Sequence, residues 1–62
     1  MRASRLLSIL MMLQTRGRIS AEALAREFEV SVRTIYRDID QLSAAGVPVY
    51  AERGREGGVE LH

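Results

Sequence analysis

A mainly helical domain closed by a small β-hairpin is the fold class this sequence predicts, in the order helix, helix, helix, hairpin. Three observations predict it. Apolar residues recur at helical spacing in three stretches between Ser4 and Ala45. Serines stand where two of those stretches begin, and glycines follow two of them. From Val47 the period changes to two around a glycine-rich turn.

The first helix is predicted over Ser4–Thr15, with Leu6, Ile9, Leu10 and Leu13 on one face and Gly17 as its stop. Ser20 offers an N-cap hydroxyl for a short second helix over Ala21–Phe28, in which Leu24 and Phe28 lie four apart on the inner side. Glu22 falls in its first turn, where the helix dipole favours an acid. Ser31 caps a third helix that runs to Ala45, with Val32, Ile35, Ile39 and Leu42 inward, Gly46 as the stop and Pro48 beyond it. Val47, Val49 and Ala51 then alternate with Pro48, Tyr50 and Glu52. Arg53 to Gly58 is turn chemistry, and Val59-Glu60-Leu61 completes the hairpin.

Sixty-two residues make one domain, 1–62, and a chain of this size buries only about 60% of the surface its unfolded form exposes. Without cysteine it has neither a disulfide nor a Cys-based zinc site, and no cofactor is expected. Leu6 to Leu13, the longest apolar stretch, is interrupted by Ser8 and falls far short of the roughly 20 residues a membrane span needs. Gln14, Thr15 and Arg16 follow where a secretory leader would carry small residues, so a cytoplasmic protein without a membrane partner is expected. A net charge of +1 does not by itself point to a polyanion. All nine basic residues are arginine, which suits bidentate contacts to phosphate or guanine and equally reflects a base-composition bias in the coding sequence.

Two helices joined by about three residues, the first short and the second longer, form the helix-turn-helix arrangement, and the hairpin behind them makes it a winged one. Ala25 is small enough to let the two helices cross closely. At about 100° per residue, and with Ile35 inward, Arg33, Arg37, Asp40 and Ala44 face outward. Thr34 and Gln41 flank that face on one side and Tyr36 on the other. Arginine, threonine and tyrosine on the exposed first half of a helix are the residue types that reach base edges and phosphates in a major groove, whereas the alternative is a plain solvated face. Arg33 also occupies the first turn, where the dipole prefers an acid, a placement that becomes favourable when an anion docks there.

The hairpin segment Arg53-Gly54-Arg55-Glu56-Gly57-Gly58 has two readings. As a wing, its arginines Arg53 and Arg55 reach phosphate or a minor groove; as plain turn chemistry it needs no ligand. The wing is preferred because the hairpin directly follows the third helix. Asp38 points obliquely toward the core and is assigned a brace to Arg5 or Arg26. Leu7 and Met11 form a second apolar stripe on the first helix, covered either by the hairpin or chain start or by a partner.

The stretch Ile19-Ser20-Ala21-Glu22-Ala23-Leu24-Ala25, then Phe28, Val30-Ser31 and Arg33-Thr34-Ile35-Tyr36-Arg37-Asp38-Ile39 with Leu42, resembles the N-terminal DNA-binding domain of bacterial regulators of the DeoR-like and WYL-domain type. Arg5 to Leu10 ahead of it, and Gly46 to Val49 and Gly57 to Val59 behind it, are similar to that group too. Glu29 departs from the broader pattern, in which the turn often carries glycine. The resemblance implies a winged helix, operator reading by the third helix, and a C-terminal effector or oligomerisation domain beyond this chain. Ser20, Ser31, Arg33, Thr34, Tyr36, Arg37, Asp40, Gln41, Arg53 and Arg55 are the expected contacts to double-stranded operator DNA. An enzyme is not expected: there is no Cys or Lys, one His at position 62, and no facing pair of carboxylates, since Asp38 and Asp40 are two apart on a helix. A winged helix used for protein or RNA contacts is the alternative.

Overall fold

A computed structural model describes residues 2–52 and 57–61. Its elements are α1 (Arg2–Arg16), α2 (Ala21–Phe28), α3 (Val32–Ala44), β1 (Val49–Glu52) and β2 (Gly58–Leu61). The three helices and the antiparallel hairpin form a winged helix-turn-helix arrangement, as expected.

Local chemistry sets most boundaries. The Ser20 hydroxyl accepts the Ala23 N–H at 3.0 Å and the Ser31 hydroxyl accepts the Thr34 N–H at 3.0 Å, so each satisfies an orphan donor at its helix start. At the other end of α2, Glu29 adopts φ 57° and ψ 45°, a left-handed conformation that glycine takes at no steric cost. This conformation lets the Val30 N–H reach back to the Ala25 carbonyl at 3.0 Å and closes the helix. The departure at Glu29 therefore leaves the turn intact at the expense of local strain.

The strand expected from Val47 begins at Val49. The Val47 N–H is taken by the Leu42 carbonyl at 3.0 Å as part of the α3 terminus, and Pro48 has no N–H, so ladder pairing starts two residues later, at Val49. Gly46, at φ 96°, makes that terminus. From there β1 and β2 pair as Val49 with Leu61, Tyr50 with Glu60, Ala51 with Val59, and Glu52 with Gly58.

Periodicity did not reveal a further strand contact between α1 and α2. Ile19 and Val59 exchange both backbone hydrogen bonds, at 3.0 and 2.7 Å, placing β2 between β1 and a one-residue strand. Beside this bridge Arg18 pairs with Glu52 at 3.1 Å and lies over Gly58. A Cβ built on Gly58 would stand 2.8 Å from the Arg18 Nε, so glycine leaves the space that the arginine occupies.

Every element contributes to one core: Ile9 and Leu13 of α1, Ala21, Leu24 and Ala25 of α2, Ile35, Ile39 and Leu42 of α3, and Val49 and Val59 of the hairpin. Leu7 and Met11 remain 58% and 56% exposed, so of the covers left open neither the hairpin nor the chain start buries them among the described residues; Val59 joins Ile9 and Leu13 in the core instead. Among the described residues no helix is long and apolar enough to cross a membrane.

Ala25 is buried in the core, 7% exposed, on the helix that the sequence expects to cross α3 at this small residue. Ala25→Leu should destabilise the domain by about 1–3 kcal/mol through overpacking. Thermal unfolding followed by circular dichroism should show a fall of about 4–8 °C for each kcal/mol. An unchanged midpoint would mean that the helices do not meet at this residue.

Candidate nucleic-acid interface

The position of α3 depends on what its inner face grips. Ile35 and Ile39 are buried, and between them Asp38, 1% exposed, is the buried charged residue among those described. Its two carboxylate oxygens accept from the Arg5 guanidinium of α1, Nε to Oδ2 at 2.5 Å and Nη2 to Oδ1 at 3.1 Å. Of the two expected partners Arg5 is therefore the brace, while Arg26 is exposed. The hydrogen bond to Asp38 raises the Arg5 pKa above its ordinary value; partial burial opposes this and the Asp38 charge adds to it.

With the inner face fixed, Arg33, Arg37 and Asp40 stand exposed on the outer one, and Thr34, Tyr36 and Gln41 are half-buried at its flanks. No acid lies in the first turn of α3, so the helix end there is positive and carries an arginine. Arg33, Tyr36, Arg37 and Asp40, with Val32, line a surface concavity of about 450 Å³. A second concavity of about 250 Å³ separates α3 from β1 and is lined by Tyr36, Asp40, Ser43 and Tyr50 among others. Thus the structure brings Arg33, Tyr36, Arg37 and Asp40 together along one surface.

Other expected contacts fall outside these two linings. Ser31, at the α3 N-cap, is exposed and its hydroxyl donates to the Thr34 Oγ1 at 3.0 Å. Ser20 is half-buried at the start of α2. Arg53 and Arg55 lie outside the described residues. Sequence reasoning missed Tyr50, which is 41% exposed on β1 and borders the second concavity. Its signal was an aromatic residue at an outward position of a period-2 strand that follows the third helix.

Tyr50 is held in place across the hairpin, where its hydroxyl donates to Glu60 Oε1 at 2.9 Å. That bond, with lesser contributions from burial and the charges of Glu60 and Glu52, raises the phenol above its ordinary value of 10.0, while Arg18 opposes the rise.

A family model described as an HTH domain matches residues 5–60. Among curated proteins the chain is similar to the uncharacterized HTH-type transcriptional regulator YobV of Bacillus subtilis (strain 168). The two are 44% identical over 61 residues, covering 98% of this chain and 20% of that protein. The chain thus spans about a fifth of the length of that relative. No solved structure matches it.

Two predictions follow from the geometry around α3. Arg5→Met leaves the Asp38 carboxylate buried without its partner, so thermal unfolding should fall several degrees below that of Arg26→Met, which alters an exposed arginine. Replacing both partners, Arg5→Met with Asp38→Leu, should recover part of the loss. Equal midpoints for the two single variants would show that the pair does not hold α3. For Tyr50, in a Tyr36→Phe background, ultraviolet titration should place the phenol above 10.0. Glu60→Gln should bring it back toward that value. Because the folded pKa is raised, the associated stability is present below the unfolded value and is lost as pH rises through the folded one. A Glu60→Gln titration identical to the parent would exclude the hydrogen bond.

Proposed function

The chain belongs to the helix-turn-helix (HTH) domain family, and on that premise we propose that it is the operator-reading domain of a bacterial transcription regulator. In this reading α3 lies in the major groove of duplex DNA and the hairpin rests on the sugar-phosphate backbone. The observation that carries it is the outer face of α3. Arg33 and Arg37 stand exposed there, and neither is in an ion pair among the described residues. An internal salt bridge would compete with phosphate or guanine for a guanidinium, and these two meet no such competition.

Arg37 projects from the middle of the helix and reads base edges. Arg33 and Ser31, at the positive helix end, and Thr34 and Tyr36 at its flanks contact bases or phosphate; Gln41 and Ser20 lie at the margins of the same footprint. Arg53 and Arg55 hold the backbone from the hairpin turn. The similarity to YobV supports a regulator as the parent protein, and the greater length of that relative fits a parent with further domains, among which we place a C-terminal effector or oligomerisation domain on the motif resemblance. Placement within the DeoR-like and WYL-domain group rests on the motif residues from Ile19 to Leu42.

Salt titrations on operator and on scrambled duplex separate reading from holding. Arg37→Ala should cost about 1–3 kcal/mol on the operator and much less on scrambled DNA. Arg53→Ala should weaken both nearly equally and reduce the salt slope by about one. An equal loss on both duplexes for Arg37→Ala would make it a phosphate contact and overturn the orientation of α3 in the groove.

A further inference from the structure

Asp40 is an acid on a face whose other charged side chains are basic. It is exposed, as are Arg33 and Arg37. The ion pairs among the described residues are Arg5–Asp38 and Arg18–Glu52, so Asp40 is left unneutralised although Arg37 lies three positions before it, within reach on a helix. A free carboxylate facing DNA is repelled by the phosphates, which with the sugars take about half to two-thirds of the hydrogen bonds a protein makes to DNA.

The position of Asp40 is as informative as its charge. It lines both concavities, the one along the arginine face and the one between α3 and β1, and so sits at the seam between the helix and the hairpin. Groups in the major groove that attract a carboxylate are the exocyclic amines of cytosine and adenine. Adenine sets its N7 acceptor beside the amine, where it would face the second carboxylate oxygen. Cytosine presents the N4 amine as its sole polar group on that edge.

We propose that Asp40 is a specificity-determining residue that selects a cytosine by accepting a hydrogen bond from its N4 amine, an inference that rests on the DNA-reading assignment above. Asp40 lies seven residues beyond Arg33, a rise of about 10.5 Å, and three beyond Arg37, about 4.5 Å. The carboxylate lowers affinity for every sequence and regains it where the amine is present, so it discriminates chiefly by penalty.

The test is selection of duplexes from a randomised pool by the full chain, by Asp40→Ala and by Asp40→Asn, followed by titration of single-base variants of the selected site. Circular dichroism of each variant confirms the fold, which an exposed position leaves intact. The unmodified chain should prefer cytosine at one position by about tenfold. Asp40→Ala should lose that preference while binding scrambled duplex at least as tightly. Asp40→Asn should move it toward adenine, whose N6 and N7 suit an amide. Base preferences unchanged at every position in Asp40→Ala would overturn the inference and leave the DNA reading standing. Failure of the unmodified chain to bind duplex DNA would overturn that reading, and the inference with it.

Discussion

The Arg5–Asp38 pair is the interaction that the rest of the structure depends on, because it fixes the roll of α3. Apolar burial is non-directional, so Ile35, Ile39 and Leu42 define which side of the helix faces inward without defining the angle closely. A two-bond fork between guanidinium and carboxylate is directional, and a carboxylate 1% exposed must keep it or remain uncompensated. The partners are 33 residues apart, so the pair also joins the first turns of α1 to the middle of α3. One residue of roll, about 100°, would take Arg37 off the outer face altogether. The same side chain that stabilises the inner face thereby aims the outer one.

Features that rest on local chemistry were legible in the sequence. Ser20 and Ser31 cap the two helices as expected because an N-cap hydroxyl acts on a backbone N–H three residues on, within one short segment. The outward direction of Arg33, Arg37 and Asp40 followed from helical geometry alone. The Arg5 brace was half legible: an acid turned toward a core demands a cation, and two candidates were in reach on paper. Only the packing of α1 chose between them.

What stayed hidden depends on contacts distant in sequence. Ile19 pairs with Val59 through backbone groups, and a single paired residue has no period to detect. Arg18 joins Glu52 and covers Gly58, a clasp between the α1–α2 connection and the hairpin that no motif announces. Tyr50 was visible as an outward strand residue, yet its place beside Tyr36 and Asp40 depends on how the hairpin leans on α3. The exposure of Leu7 and Met11 was likewise undecided until Val59 was found in the core.

These hidden contacts and the legible ones divide the molecule in a way that bears on its evolution. The core residues come from all five elements, so a domain this small has no part that can be rebuilt independently. The side chains of Arg33, Arg37 and Asp40 lie outside that core and make no ion pair among the described residues. Exposed substitutions away from structural features usually change stability by no more than about 0.5 kcal/mol. The side chains at these three positions can therefore change while Asp38 and the serine caps keep the helix where it is. The same separation explains why composition said so little about function: an exposed arginine looks like any solvated residue until the inner face of its helix is known.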